Sequence, residues 1–296
     1  MTSRIMMMLA LGVAGCTDRA TPATNVPGAD PDTVVVSRAL AHATEDARPC
    51  GYQRTENFPP SPGISGNINR FSGKLSYDSR GQLVLDAAVD EHGDFGHNQT
   101  YDYDVMGNLT HYVDAYPDNF VTEGLLVYDG FGRLTRYEID RDGGPVTVAT
   151  YGYGTDGNRI SAHRVTPDRV DDRSYTYDSD GRLIEVTQDN GPDGTVDLTS
   201  RYVYDDVQRT VAMTMTDPAG LVVETDTTHY DADNHAVREE YFSIRNKAMA
   251  QIFVDYGNTY ADGRLTISTE VTREPDPVNG DYTYDTRDEW HYGSCN

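Results

Sequence analysis

Tyr101-Asp102-Tyr103-Asp104-Val105-Met106-Gly107-Asn108-Leu109 decides the reading of this chain, because the same arrangement returns at Tyr175-Thr176-Tyr177-Asp178-Ser179-Asp180-Gly181-Arg182-Leu183. Two tyrosines two residues apart fall on one side of an extended strand. The Asp-x-x-Gly that follows has the composition of a type I turn: aspartate accepts local backbone hydrogen bonds, and glycine tolerates positive φ. The chain then reverses. Stretches such as Arg133-Leu134-Thr135-Arg136-Tyr137-Glu138-Ile139 and Arg182-Leu183-Ile184-Glu185-Val186-Thr187 have the β-branched and aromatic content of a returning strand. Each unit is expected to be a β-hairpin.

Working outward, the tyrosine anchors are Tyr77, Tyr103, Tyr128, Tyr153, Tyr177, Tyr204, Tyr230 and Tyr284, with a weaker copy near Tyr256–Tyr260. Their spacing is 24 to 27 residues as far as Tyr230, then 54, a double period. A fixed period means one supersecondary unit stacked many times. A two-stranded hairpin is marginal alone, so neighbouring hairpins must pair. The segments between them are acidic and turn-rich, as in Asp90-Glu91-His92-Gly93-Asp94 and Asp140-Arg141-Asp142-Gly143-Gly144-Pro145. The expected fold is all-β: repeated antiparallel hairpins forming one long curved or coiled sheet.

Formal net charge is −24, with 48 acidic residues against 24 basic ones and no basic run. That balance excludes nucleic acid as a natural partner, since phosphate backbones are held by Lys and Arg. High charge with few aliphatics lies in the range of disordered chains. The 21 tyrosines argue instead for a thin folded layer, because each buries a large aromatic body while its hydroxyl stays hydrogen-bonded.

Three segments are expected: a signal peptide over 1–15, a Pro- and Thr-rich tether over 16–50, and the repeats over 51–296. Arg4 and the apolar stretch Ile5 to Val13 form an export signal too short to span a bilayer. Leu11-Gly12-Val13-Ala14-Gly15-Cys16 resembles the lipobox of bacterial lipoproteins. The resemblance implies cleavage before Cys16 and a diacylglycerol on its sulfur, hence a membrane partner. Thr17 in place of Asp points to the outer membrane of the cell envelope. An ordinary secretory signal is the alternative.

Cys50 and Cys295 bracket the repeats and would meet an oxidising compartment after export. Bridged Cα atoms must lie within about 7 Å. A disulfide between them therefore requires the array to curl almost shut or one end to double back. Two free or intermolecular thiols are the other outcome.

The Tyr-Asp-x-x-Gly-Asn/Arg-Leu unit resembles the YD repeat of Rhs proteins, bacterial wall-associated proteins and teneurins, over roughly residues 70–292. Copies at Tyr103, Tyr128 and Tyr177 match well, whereas Gln208, Asn234 and Asp288 replace the glycine elsewhere. The resemblance implies a β-sheet that winds into a shell or barrel in a surface or secreted protein. Some members enclose a C-terminal toxin, for which Gly293-Ser294-Cys295-Asn296 leave no room. Asp217-Pro218-Ala219-Gly220-Leu221 echoes a motif that closes the Rhs core, but it sits mid-array and reads as another turn.

The best metal candidate is the loop with Asp189, Asp193, Gly194 and Asp197 at positions one, five, six and nine of an EF-hand-like spacing, which suits Ca²⁺. Gly191 and Ser200 stand where further oxygen ligands belong, so a solvated acidic turn is the competing account. The eight histidines complete no zinc pattern, and no Gly-x-Ser-x-Gly elbow or phosphate loop occurs. The functional expectation is a non-enzymatic envelope lipoprotein for adhesion, recognition or envelope organisation, with a surface glycan or protein as ligand. The alternatives are a glycan-active enzyme and a shell or immunity-type protein related to Rhs toxin systems.

Overall fold

The computed structural model describes residues 49–58, 67–116, 120–191, 193–232, 236–244, 250–261, 264–274 and 282–292. The signal, Cys16, most of the tether and Cys295 lie outside the described residues. Eighteen strands run through the described part: β1 Pro49–Phe58, β2 Asn67–Tyr77, β3 Leu83–Asp90, β4 Phe95–Tyr103, β5 Leu109–Ala115 and β6 Val121–Tyr128. They continue with β7 Leu134–Arg141, β8 Thr147–Tyr153, β9 Arg159–Val165, β10 Val170–Tyr177, β11 Leu183–Asp189 and β12 Leu198–Asp205. The last six are β13 Thr210–Thr216, β14 Val222–Tyr230, β15 Ala236–Ser243, β16 Ala250–Ala261, β17 Arg264–Glu274 and β18 Tyr282–Tyr292.

Every strand pairs antiparallel with its neighbours in sequence, and β1 pairs with both β2 and β18. The hairpin expectation holds, but the sheet is not an open coil. It closes into an 18-stranded up-and-down barrel without a free edge. Closure removes the unpaired N–H and C=O groups that an open ribbon would leave at both ends. Eighteen strands at their usual spacing give a wall-to-wall distance of about 30 Å for a round section, too wide for inward side chains to fill. In keeping with this, the inward hydrogen bonds found among the described side chains stay within neighbouring strands of the wall, as Tyr52 to Asp86 and His97, two and three strands away, and Tyr112 to Tyr137.

The repeat has a second feature besides its turn. At Tyr77, Tyr103, Tyr128, Tyr153, Tyr177, Tyr230 and Tyr260 the pairing slips by one residue against the returning strand. Tyr101 pairs with Tyr112 while Tyr103 pairs with Leu109, so Thr110 is the extra residue of a β-bulge. The bulge puts residues three apart, Leu109 and Tyr112 or Leu134 and Tyr137, on the same inward face. Strict alternation would have separated them.

The seam between the two ends follows the same plan. Pro49 pairs with Tyr292, and the slip falls between Pro49 and Gly51, which makes Cys50 the extra residue. Pro49-Cys50-Gly51-Tyr52 thus occupies the positions of Leu109-Thr110-His111-Tyr112. The Tyr77 hydroxyl donates to the Pro49 carbonyl at 2.9 Å, just as Tyr103 donates to the Leu83 carbonyl. The barrel is therefore a ring of nine hairpins, the ninth assembled from both chain ends, and all but β12–β13, which pairs in continuous register at Tyr204, carry the bulge. This corrects the place given to Tyr284. It lies near the start of β18 opposite Thr272, at the far rim from the tyrosine turns. Tyr260 and Tyr292 hold the strand-end positions instead, because β16, β17 and β18 are longer than the strands from β3 to β15.

Candidate functional site

Two surfaces carry chemistry: the rim built by the tyrosine turns and the inward face of the wall. At the rim, Asp78, Asp104, Asp129 and Asp178 each hold a turn in the same way. Gly81, Gly107, Gly132 and Gly181 donate backbone N–H groups to these aspartates' carbonyls, at 2.9 to 3.2 Å, with φ between 76° and 90°. A residue with a Cβ is strained there, which is why glycine occupies the position. The aspartate carboxylate accepts backbone N–H groups two and four residues on, as in Asp129 with Phe131 and Arg133. These bonds, first from the Arg133 backbone and then from its guanidinium, hold the Asp129 carboxyl below the usual carboxylate range. Asp178 is lowered in the same way by Arg182.

The residue after glycine joins each unit to the next. Arg133 Nε donates to Asp129 Oδ2 at 2.8 Å while the guanidinium lies 4.6 Å from the centre of the Tyr153 ring one hairpin further on. Arg182 repeats this with Asp178 and Tyr204. Where the position is Gln82, its amide reaches the Gly107 carbonyl of the next turn. The anchor hydroxyls of Tyr103, Tyr153 and Tyr204 donate to the carbonyls of Leu83, Leu134 and Leu183 at 2.9, 2.6 and 2.8 Å. Tyrosine is needed because its ring fills the inward layer and its hydroxyl satisfies a main-chain acceptor beside the bulge.

On the inward face, large rings lie over small residues of the adjoining strand. Tyr52 covers Gly73 and Tyr112 covers Gly124 so closely that a Cβ on either glycine would meet the ring. Tyr137 faces Ala149 and Tyr151 faces Ala162 in register. The rings bury one another's backbone without needing a solid core. Among them sit charges: Asp171 is 1 % exposed, its carboxylate paired with Arg173 and accepting from Gln188 Nε2 at 2.9 Å.

Asp226 on β14 has no such partner. It is 8 % exposed, and its Oδ1 accepts no hydrogen bond among the described residues. Burial, and then the Glu239 and Glu224 carboxylates, push it up to about 7. Those two glutamates accept hydroxyls of Tyr256 and Tyr241 at 2.9 and 3.0 Å. The group can hold a proton near neutrality. No sequence motif marks it, since an aspartate in a Thr-rich strand looks like a solvated one until its face is known.

In the Asp189 loop, the Ca²⁺ candidate of the sequence, the carboxylates bond to backbone. Asp189 Oδ1 accepts Gly191 N–H, Asp193 Oδ1 accepts Thr195 N–H and Asp197 Oδ2 accepts Asn190 N–H. Each carboxylate ties its own stretch of backbone, and no group of three His, Cys, Asp or Glu residues among the described residues is gathered for a metal ion. The segment with Asp217 forms a turn, with Gly220 N–H donating to the Asp217 carbonyl at 3.0 Å. Cys50 is disulfide-bonded, and its partner lies outside the described residues.

The outward face mixes charge with apolar side chains at mid-strand, where Leu125 and Val203 are 47 % and 66 % exposed. Glu123, Glu138, His163, Asp172, Glu185 and Arg201 all point outward, with cross-strand pairs such as His163–Asp172 at 2.6 Å and Arg201–Glu185 at 3.0 Å. His111 lies between Asp102 and Glu123, 2.9 Å from each.

No family model and no curated protein matches the chain. Among solved structures, a porin-like protein from Bacteroides uniformis is similar over 85 % of this chain and 100 % of its own, at 12 % identity and a TM-score of 0.43. A porin-like protein from Bacteroides vulgatus covers 81 % of this chain and 98 % of its own, at 12 % identity and a TM-score of 0.34. A Photorhabdus luminescens Tc holotoxin pore is similar over 78 % of this chain and 15 % of its own, at 14 % identity and a TM-score of 0.32.

Proposed function

We propose that this chain is a non-enzymatic lipoprotein of the bacterial cell envelope, tethered through Cys16, whose YD-type barrel stands in water and serves recognition or envelope organisation. The observation that carries this reading is the outward belt of charge. A barrel embedded in lipid needs an apolar outward band about 25 Å tall, and a mid-bilayer Lys or Arg costs about 2–4 kcal/mol. Glu123, Glu138, Asp172, Glu185 and Arg201 occupy the middle of their strands where that band would be. The lipobox supplies the membrane link that the wall itself does not.

Tyrosine at a rim and on a wall suits stacking on sugars or apolar protein groups. A glycan or protein of the cell surface is therefore the proposed ligand class. The bridge from Cys50 is assigned to Cys295, which follows Tyr292 at the seam. Globomycin treatment of expressing cells tests the anchor: accumulation of an uncleaved precursor supports it, and unchanged migration rejects it. Extraction tests the wall. Release of a Cys16→Ser variant into the soluble fraction supports a water-facing barrel, whereas retention in the membrane until detergent is added rejects it.

A further inference from the structure

The turn tips along the tyrosine rim are not alike around the ring. Going from β1, the first tip carries Ser79 and Arg80, the next Val105 and Met106, and the third Phe131. The adjoining arc carries Asp156, then Ser179 and Asp180, then Asp206 and Val207. Val105 is 96 % exposed, Met106 73 % and Phe131 85 %, on two neighbouring hairpins. Asp180 and Asp206, on the adjoining arc, are 73 % and 89 % exposed. Three exposed apolar side chains thus cluster on two neighbouring tips, whereas among the exposed acids further round the rim Val207, 93 % exposed, stands alone.

The chain enters the barrel on this same rim. β1 runs antiparallel to β2, which ends at Tyr77, and the Tyr77 hydroxyl bonds to the Pro49 carbonyl. The tether from Cys16 therefore reaches the wall beside the Arg80 tip and about three strands from the Val105–Met106 tip. For a linker of that length the random-coil r.m.s. span is roughly 30 Å, similar to the barrel's own width. Attachment alone does not select a face. The apolar arc does.

We propose that the arc formed by Val105, Met106 and Phe131 seats in the interfacial layer of the lipid bilayer that holds Cys16. The acidic arc is tilted away, and the rim of β3–β4 and β13–β14 turns faces the aqueous side. The proposal rests on the lipid-anchored reading above. Apolar tips at the headgroup boundary and acids held off it are the pattern of a surface-lying contact rather than a span. Arg80, 46 % exposed, adds a cation on the tip between the entry point and these apolar tips.

The test uses the lipidated full chain in phosphatidylcholine vesicles, with or without bromine on the acyl chains near the headgroups. Three variants, Phe131→Trp, Asp180→Trp and Leu221→Trp, each add one reporter, read as emission above that of the unsubstituted protein. The expected result is at least about a twofold loss of the added emission for Phe131→Trp in brominated vesicles, with Asp180→Trp and Leu221→Trp unchanged. Equal quenching of all three, or none at Phe131→Trp in vesicles that float with the protein bound, overturns the seating and leaves the anchor standing. Failure of the protein to float at all, with Cys16→Ser behaving identically, overturns both readings. A Val105→Ser/Met106→Ser/Phe131→Ser chain supplies the converse: it still floats, but an added Leu221→Trp reporter becomes quenched as the fixed orientation is lost.

Discussion

The stretch from β4 to β11 and the seam between β18 and β1 solve one problem with different means. In the first, a covalent four-residue turn closing on glycine, Asp-x-x-Gly except at 154–157 where Gly154 replaces Asp, delivers each returning strand, and side chains such as Asp129, Arg133 and Tyr153 lock successive units together. At the seam no turn links the strands, yet Pro49, the extra residue Cys50 and inward Tyr52 recreate the same bulge and the same cover over a glycine. The comparison teaches that the repeat is a pairing geometry rather than a loop. A hairpin can be split between two chain ends when the bulge and the ring over glycine are kept. What the seam lacks is the local contact order that the turn supplies, so its closure entropy must be met otherwise. The disulfide at Cys50 stands where that help is needed.

Breaking the bridge should separate the two regions most. With Cys295 as the proposed partner the closed loop is long, and Cys50→Ser is then expected to lower unfolding stability by about 3–5 kcal/mol. Denaturant unfolding with and without reductant measures this: the wild type should lose the same amount on reduction, and the variant nothing more.

Acid–base behaviour sharpens the contrast between rim and wall, because the signs are opposite. Asp226 has its folded value raised to about 7 against 3.8 unfolded. The folded chain keeps a proton that the unfolded chain gives up, so this stabilising share is full below about pH 4 and is lost as the pH rises through 7. Asp226→Asn should therefore gain about 2–4 kcal/mol at pH 8 and change little at pH 4. Asp129 and Asp178 are held low, so their share is present above the unfolded value and disappears as the pH falls. Asp129→Asn should flatten the acid limb of a stability–pH profile and leave the alkaline limb as it was.

Packing gives the next smaller effect. Gly124→Ala drives a methyl into the Tyr112 ring and is expected to cost about 1–3 kcal/mol. The double change with Tyr112→Leu should recover part of that loss, and a thermal melt reads both. Gly93, which has positive φ and open space around it, should lose only about 1 kcal/mol on the same change.

Smallest are the hydroxyl clamps. Tyr153→Phe leaves the ring in place and removes one bond to the Leu134 carbonyl, for about 1 kcal/mol with no change in strand content by circular dichroism.

The hairpin, its turn and its period were legible in the residues, because Asp, Gly and Tyr at fixed offsets act locally. Closure was legible only as a condition attached to Cys50 and Cys295. Whether a sheet coils or closes depends on strand number and stagger, which no single unit contains. The bulge at Thr110 or Val84 was hidden for a related reason: a β-branched or small residue in a strand carries no mark of lacking a partner. Tyr284 misled because its Tyr-x-Tyr-Asp looks like a strand end, while the lengthening of β16 to β18 moves that role to Tyr260 and Tyr292. At the Asp189 loop, spacing showed the acids but not that each one is spent on its own backbone.

Hydrogen exchange at the seam tests the closed ring most directly. In a closed barrel β1 is paired on both sides, so the amides from Tyr52 to Asn57 should exchange as slowly as those from Glu123 to Val127 in β6. An open sheet would leave β1 and β18 as edges, and every second amide of each would exchange orders of magnitude faster than in β6. That alternating pattern would contradict the account.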